Sequence, residues 1–495
     1  MFKNKTLFYE QSFLYLFLTI IVSLSFCIYS SMFYPLLNSD DALNILMAHY
    51  YKLPNDIYCW GQNRGGTLIP LISQFFIKIF GIPAYISVSI SNYIILILGY
   101  FGFSSMFKTN YIKLLFAFVW FFPPIHFIDL LRFPIGVEYS LIGFSILFFQ
   151  KLDFNRNNLK NHLYLILIIL LFLLSQWVSD LSIVTISILL FSFILFSFIE
   201  TGKLFFRKTI VLYSIIGASL ISFLIYLAKM TAMNTIEQYV MLNNVQNVGE
   251  AIRVFVYSVK DILLFNYQSV VYSFYSWMFI VVFMLLVSFF FRERKNFDSK
   301  TKKWAFLFIL DFIMIFFILI ISKWVLLNGM GRWYFVALYV SASIFILLLI
   351  DNLHIKGKLK PFFKALIVFV VFVGSMSTPI NLKFVSPKSF RPELSLRSEF
   401  LQLGEIGVIS EYWNSYITSA KNPDLIKATP HDMSGAVRNY SIVDEVFKQP
   451  NIYVIKDMWF DVFPDTLYQF GRVLSKEGDE FQIGGCNTCK YRIEN

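Results

Sequence analysis

Charged residues are scarce in this chain of 495 residues, at 15% of the sequence, against about 25% in soluble globular domains. Hydrophobic residues make up 57%, and 58 residues are phenylalanine. Apolar runs such as 163–174 and 306–321, the second interrupted only by Asp311, are typical of membrane segments. This composition excludes a soluble protein, a disordered chain, a collagen and a disulfide-rich scaffold.

The net charge of +11 would also suit a nucleic-acid-binding protein. The excess lies entirely in residues 1–382, which carry +13, whereas residues 383–495 carry −2. Within 1–382 the basic residues cluster in short loops between apolar runs. Charge in such loops sets membrane topology, whereas a duplex-binding surface aligns its charge along phosphates. The sequence therefore predicts no nucleic-acid partner.

Hydropathy predicts a polytopic α-helical membrane protein. The eleven predicted spans are 12–34, 84–107, 112–128, 134–150, 161–178, 181–199, 208–229, 269–291, 304–324, 333–351 and 362–380. With a cytoplasmic N-terminus, the cytoplasmic loops carry 20 basic residues and the opposite side carries 9 before residue 383, which is the favoured orientation. Residues 67–80 contain Pro70, Gln74 and Lys78 and are predicted to form an interfacial amphipathic helix rather than a twelfth span.

The composition changes after Pro379, where the apolar runs end. Short β-rich runs at 407–409 and 452–455 alternate with helix-like runs at 394–403 and 442–447, which predicts a small C-terminal α/β domain. The odd number of spans places that domain outside the cytoplasm. The predicted organisation is a transmembrane module at 1–382, whose first external loop covers 35–83, and a soluble extracytoplasmic domain at 383–495.

The first external loop begins with two adjacent carboxylates, Asp40 and Asp41. One interpretation is that Ser39 caps a helix and the aspartates complement its dipole. The other is that one aspartate, partly desolvated at the membrane boundary, acts as a general base for a hydroxyl acceptor. Asn44 lies one helical turn from Asp40 and could orient it.

Polar residues also gather at the predicted external ends of other spans, and they suggest one site on that membrane face. Each alone could be an ordinary solvated residue, but a charge inside a span, as at Glu138, is costly and tends to be functional. Arginine suits a phosphate because its guanidinium binds two oxygens. Asp311 lies deeper and is predicted to make a helix–helix polar contact. The residues at the external ends are Asp129, Arg132, Glu138, Asp180, Arg332 and Tyr334.

The chain has four cysteines, of which Cys486 and Cys489 have C-x-x-C spacing. A closed zinc site needs four ligands and no second pair exists. We therefore predict a local disulfide in an oxidising compartment, with free thiols as the alternative. The sequence contains no Walker, dinucleotide-binding, H-E-x-x-H or G-x-S-x-G motif.

Three short motifs stand out: Asp40-Asp41 after the first predicted span, Trp60-Gly61-Gln62-Asn63-Arg64 in the first loop, and Arg332-Trp333-Tyr334 before a late span. These motifs and the order of the segments resemble the GT-C glycosyltransferases. Within that class the chain resembles bacterial polyprenyl-phosphate-sugar-dependent enzymes related to protein O-mannosyltransferases and the lipid A aminoarabinose transferase. The Asp40-Asp41 pair matches the family's acidic pair after the first span. Trp60-Gly61-Gln62-Asn63-Arg64 resembles a loop motif of bacterial members, and Arg332-Trp333-Tyr334 resembles an arginine–aromatic pair before a late span.

The resemblance implies an enzyme of the bacterial inner membrane that transfers a sugar, with inversion, from a polyprenyl-phosphate donor. The acceptor would be an extracytoplasmic glycan, lipid or protein. The resemblance implies Asp40 as the base, with Asp41 second, and it leaves a divalent metal open and implies no other cofactor. The predicted substrate- and donor-binding residues are Asn44, Trp60, Gln62, Asn63, Arg64, Arg132, Glu138, Asp180, Arg332 and Tyr334. The alternatives are a transporter or flippase of lipid-linked saccharide and an O-antigen polymerase or ligase.

Overall fold

The computed structural model describes residues 2–132, 134–152, 158–201, 208–232, 241–266, 269–352, 359–385 and 391–494. Its α-helices, α1 to α18, are Phe2–Tyr29, Ser39–Tyr50, Leu68–Phe80, Ala84–Ser104, Asn110–Phe121, Ile135–Phe149, Leu159–Val178, Ser182–Thr201, Lys208–Thr231, Val245–Leu263, Val270–Glu293, Ser299–Ile321, Lys323–Leu327, Val336–Asn352, Leu359–Val385, Glu393–Arg397, Tyr412–Ala420 and Tyr440–Phe447. Its strands, β1 to β6, are Ile406–Ser410, Ile426–Pro430, Asn451–Ile455, Thr466–Gln469, Arg472–Ile483 and Cys486–Ile493.

The chain is a multi-pass membrane protein. Among the described residues, eight helices are long and apolar enough to cross a membrane. There are nine if α5 and the 3-10 helix Ile125–Leu131, which are bent by 95° from each other, form one broken span. The predicted spans at 134–150 and 181–199 coincide with the apolar helices α6 and α8. Each predicted span therefore falls on an apolar helix, which confirms the polytopic helical fold.

The described contacts divide the chain into two compact units. The membrane unit consists of Met1–Ser25, Ile94–Ile225 and Ile236–Val385, and the C-terminal unit consists of Phe26–Tyr93, Tyr226–Thr235 and Ser386–Asn495. The first-loop helices α2 and α3 thus belong with the C-terminal strands. The predicted boundaries, 1–382 and 383–495, stay a prediction. Residues 68–80 do form a helix, α3, as expected from their pattern.

Within the membrane unit, a buried carboxyl joins four helices. Asp311 on α12 accepts hydrogen bonds from Thr185 on α8 at 2.7 Å, from Tyr139 on α6 at 3.3 Å and from Ser341 on α14 at 2.5 Å. A polar group in an apolar bundle is stabilised only when neighbouring helices supply such partners. The predicted helix–helix contact at Asp311 is confirmed.

The C-terminal unit contains a six-stranded mixed sheet, in the order β2-β1-β3-β6-β5-β4. Strands β2, β1 and β3 are parallel, and β6, β5 and β4 continue the sheet in antiparallel pairs. Helices α17 and α18 pack on β1 and β2. Buried side chains such as Phe400, Val408 and Ile455 form its core. The predicted C-terminal α/β fold is confirmed.

The parallel strands determine where functional side chains of this unit meet. Because β1, β2 and β3 run in one direction, their carboxyl ends lie at the same edge of the sheet, which is where open α/β sheets bind ligands. Helix α17 begins at Tyr412, two residues after β1 ends at Ser410. Helix α2 packs against α17. The first residues of α17 are therefore one part of the C-terminal strand domain that contacts residues 35–83.

The predicted disulfide between Cys486 and Cys489 is wrong, because both cysteines are free and buried in strand β6. Residues three apart on a strand point to opposite faces and lie about 10 Å apart, whereas a disulfide needs Cα atoms within about 7 Å. Cys486 instead contacts the guanidinium of Arg397.

We expect both thiols to be alkylated in denaturant without any reductant, and both to be protected in the folded protein. Burial raises the pKa of each thiol, so the reactive thiolate is rare. Mass spectrometry after iodoacetamide treatment measures this. Alkylation that requires a reductant even in denaturant would restore the disulfide.

Candidate functional site

The acidic pair lies in the first turn of α2, and the helix is capped by Asn38 rather than by the predicted Ser39. The Asn38 side chain accepts a hydrogen bond from the Asp41 backbone N–H at 2.8 Å. Asn38 and Ser39 both have the chemistry of an N-cap, and the chain enters the helix one residue earlier than expected. The Asp40 and Asp41 carboxylates are consequently not needed to cap the helix.

The two aspartates occupy different environments. Asp40 is exposed, and one of its carboxylate oxygens accepts a hydrogen bond from the Tyr412 hydroxyl at 2.8 Å. Asp41 is buried, with 6% of its surface exposed. Burial and the Asp40 carboxylate raise the pKa of Tyr412, so this tyrosine stays a proton donor to Asp40 at neutral pH. A hydroxyl from solvent can reach the Asp40 carboxylate but not the Asp41 carboxylate.

Asn44 does not orient the Asp40 carboxylate, as the sequence suggested. Its side-chain amide donates instead to the main-chain carbonyl oxygen of Asp40 at 3.0 Å. This contact stabilises the first turn of α2. The group that holds the carboxylate is Tyr412, 372 residues away in the chain.

Arg438 connects Tyr412 to the loop motif at 60–64. Its guanidinium lies over the Tyr412 ring, 5.2 Å from the centroid, and donates to the carbonyl oxygen of Gly61 at 3.5 Å. Its backbone N–H donates to the Tyr416 hydroxyl at 2.8 Å. Gly61 has φ +65°, and a Cβ there would lie 3.0 Å from the Arg438 side chain. A glycine is therefore required at this position, both for the backbone conformation and for the close approach.

Tyr412 and Arg438 were not among the predicted site residues. Nothing in the local pattern of either residue marks it as functional, since both lie in a part of the chain read only as domain scaffold. The one available signal was positional: Tyr412 directly follows a short β-rich run, at the point where ligand-contacting residues of α/β domains occur.

The aromatic residue of the loop motif, Trp60, is buried with 3% of its surface exposed. Its indole N–H donates to Asp56 at 2.8 Å, and the second Asp56 oxygen accepts from the backbone N–H of Lys52 at 2.6 Å. These bonds close the loop upon itself. Gln62, Asn63 and Arg64 follow in the turn and are partly exposed.

Cys59 directly precedes Trp60 in this loop and is not a candidate nucleophile. Burial and the nearby Asp40 carboxylate raise the pKa of the Cys59 thiol to about 12, against the opposing effect of Arg438 and Arg64. The thiol is therefore protonated at neutral pH, and a protonated thiol is a poor nucleophile.

In the membrane unit, Arg332 forms an ion pair with Asp129. The guanidinium lies 3.1 Å from the carboxylate, and the arginine side chain is 45% exposed. It also contacts the carbonyl oxygen of His126 at 3.5 Å. Arg132 is buried, and Tyr334 is partly exposed beside Trp333. The structure thus brings together Asp129 and Arg332 from two of the predicted polar loops.

Glu138 and Asp180 also belong to the membrane unit. Glu138 is fully buried near the start of α6, where its main-chain carbonyl oxygen accepts from Ser175 at 3.2 Å. Asp180 is exposed after α7, and its main-chain carbonyl oxygen accepts from Gln176 at 3.4 Å. Neither contact involves the carboxylates, so both residues stay predictions as site residues.

A divalent metal was left open by the sequence. Across the described ranges, no group of three or more His, Cys, Asp and Glu side chains is placed to hold one ion. Of the acidic pair, one carboxylate is engaged by Tyr412 and the other is buried. These residues do not by themselves form a ligand set, and we derive no chemical step through a metal.

No protein-family model and no curated protein matches the chain. Among solved structures, it is similar to the oligosaccharyltransferase AglB of Archaeoglobus fulgidus in complex with an inhibitory peptide and a dolichol-phosphate, at 12% identity over 90% of this chain and 70% of that chain, with a TM-score of 0.48. It is also similar to the apo form of the Archaeoglobus fulgidus enzyme, at 13% identity over 90% and 69% of the two chains, with a TM-score of 0.46. The form with zinc and sulfate matches at 13% identity over 89% and 68%, with a TM-score of 0.43.

Proposed function

We propose that the chain is a membrane glycosyltransferase that moves a sugar from a polyprenyl-phosphate donor to an extracytoplasmic glycan, lipid or protein. The observation that carries this proposal is the Asp40 carboxylate, which is exposed at the start of α2 and held by the Tyr412 hydroxyl at 2.8 Å. A fixed carboxylate that solvent can reach is what a general base for a hydroxyl acceptor requires.

In the proposed reaction, Asp40 accepts the proton of the acceptor hydroxyl. The acceptor oxygen forms a bond to the anomeric carbon of the donor sugar while the bond from that carbon to the phosphate oxygen breaks. The electron pair of the broken bond leaves with the polyprenyl phosphate. A single displacement inverts the anomeric configuration, and a cation near the departing phosphate stabilises its charge.

The activity is tested in cells that lack the gene. We expect such cells to accumulate the polyprenyl-phosphate-linked sugar and to lack one glycan modification, with both changes reversed by the wild-type gene. Mass spectrometry of the lipid pool and of the envelope glycans measures both. An unchanged lipid pool together with unchanged glycans would refute the proposal.

Arg332 is proposed to bind the donor phosphate, because its guanidinium is partly exposed beside Asp129. We expect Arg332→Ala to raise the sugar-donor concentration needed for half-maximal transfer. Arg332→Lys should raise it less, because the ammonium keeps the positive charge but lacks the two parallel N–H groups with which a guanidinium binds a phosphate. Initial rates at varied donor concentration separate this effect from a loss of kcat. An equal loss in the alanine and lysine variants, confined to kcat, would contradict donor binding.

The proposed location is the bacterial inner membrane, with the C-terminal domain on the extracytoplasmic side, as the distribution of basic loops predicts. We expect a reporter fused after residue 495 to be external and one inserted within residues 292–303 to be cytoplasmic. Alkaline phosphatase and green fluorescent protein fusions report the two sides. Both reporters on one side would reject the predicted orientation.

A further inference from the structure

A polar cavity lies in the C-terminal unit, at the opposite end of α2 from Asp40. It is a cleft of about 410 Å³, within the range of about 300–1,000 Å³ typical of small-molecule sites. Its walls come from the C-terminal end of α2, the loop that follows it, strand β2 and helix α18. Six of the side chains that line it are Tyr50, Trp60, Lys427, Asn439, Ser441 and Glu445.

Hydrogen bonds fix the walls of this cleft without any ligand. The Lys427 ammonium donates to the Tyr50 hydroxyl at 2.8 Å and to the Pro423 carbonyl oxygen at 2.6 Å, and the Tyr50 hydroxyl donates to the same carbonyl at 2.6 Å. Trp60 is held by Asp56. A cleft with walls already ordered binds a ligand at a lower entropic cost.

The charges that line the cleft balance. Lys52 and Lys427 face Asp56 and Glu445. A site for phosphate or another anion would have an excess of positive charge, and a site for an apolar ligand would have mostly apolar walls. The balance therefore favours a neutral polar ligand.

The remaining groups suit carbohydrate. Asn55, Asn439 and Ser441 add amide and hydroxyl groups, and the partly exposed Tyr50 adds aromatic surface. A sugar ring presents hydroxyl groups around its edge and C–H groups on its faces. Amide and hydroxyl side chains form hydrogen bonds with the sugar hydroxyl groups. An aromatic ring packs against the C–H face of the sugar.

We propose that this cleft binds a neutral sugar unit of an oligosaccharide acceptor, and that the enzyme consequently acts on a glycan chain rather than on a single sugar. This inference rests on the proposed function. Asp40 and Tyr50 are ten positions apart in the helix, which corresponds to about 15 Å along its axis, a length that several linked sugar units cover. The end of the glycan at Asp40 is the acceptor, because the base takes its proton from the acceptor hydroxyl.

The test uses the full chain in lipid nanodiscs and measures binding by calorimetry. The probes are the neutral tetrasaccharides cellotetraose, chitotetraose, isomaltotetraose and mannotetraose, the single sugars glucose and N-acetylglucosamine, and the acidic tetragalacturonate. We expect at least one neutral tetrasaccharide to bind, and its monosaccharide and tetragalacturonate to bind at least tenfold more weakly.

Ser441 is exposed and lines the cleft, so a larger side chain there fills the cavity with little cost to folding. We expect Ser441→Phe to weaken tetrasaccharide binding at least tenfold. The matched control is Asp444→Phe, at an exposed position on the same helix that does not line the cleft; it should bind as the wild type does.

Two results would overturn the proposal: no neutral tetrasaccharide binds, or Ser441→Phe and Asp444→Phe bind equally well. Tighter binding of tetragalacturonate than of every neutral probe would assign the cleft to an acidic ligand instead. The Asp40→Asn variant keeps the cleft intact and should still bind the tetrasaccharide. Binding without transfer in every assay would therefore reject the proposed function and leave the cleft as a carbohydrate site.

Discussion

Asp40→Asn is expected to reduce sugar transfer by about 10²- to 10⁴-fold, the usual cost of losing a well-placed general base. The asparagine amide oxygen can still accept the hydrogen bond from Tyr412, but it cannot take a proton from the acceptor. Because Asn38 caps α2, removal of the Asp40 charge costs the helix at most about 1 kcal/mol. Loss of activity would therefore not arise from unfolding.

The measurement is glycan modification by each variant at equal abundance in the membrane. Asp41→Asn should be less damaging, because Asp41 is buried whereas Asp40 is exposed. Tyr412→Phe keeps the ring beneath Arg438 and removes only the hydroxyl, so its loss should be smaller than that of Asp40→Asn. Wild-type activity in both aspartate variants would show that neither aspartate is the general base, and Glu138 and Asp180 would be the next candidates.

The membrane fold was predictable because apolar runs alone determine where helices lie. At the predicted span 134–150 the helix is slightly shorter, Ile135–Phe149, whereas at 181–199 the helix covers the predicted residues, Ser182–Thr201. In the C-terminal domain the sequence predicted β1 and β3, whose runs are wholly apolar. It missed β2, which contains Lys427 and ends at Pro430. A proline fits there because β2 is at the edge of the sheet.

The candidate site was predictable only in part, because its halves are far apart in the chain. The acidic pair stood out through its position after an apolar run. The Tyr412 hydroxyl that holds Asp40 is 372 residues away, and no periodicity connects the two. The N-cap of α2 was also not predictable from the sequence. Asn38 and Ser39 can both cap a helix, and only the backbone conformation determines which of them does.

Arg397→Ala is expected to destabilise the C-terminal domain by about 3–5 kcal/mol, the usual cost of removing one partner from a buried ion pair. The Arg397 side chain is 8% exposed and lies 2.8 Å from Glu393, which is itself 17% exposed. Its guanidinium also donates to Asn414 at 2.6 Å and contacts Cys486. Truncation leaves a largely buried carboxylate without a cation and a partly buried amide oxygen without a donor.

Arg391→Ala is the matched control, since Arg391 pairs with Glu399 at 3.0 Å but the two side chains are 47% and 35% exposed, and solvent-accessible pairs contribute about 0–1 kcal/mol. Proteolysis of the domain at increasing urea, with the full chain in membranes, measures both variants. Asn414 also holds Asp457, which accepts from the backbone N–H of Glu411, the residue before Tyr412. Loss of Arg397 should therefore also lower transfer by loosening the group that holds Asp40. Equal protease resistance in the two variants would show that the arginine cluster does not stabilise the domain.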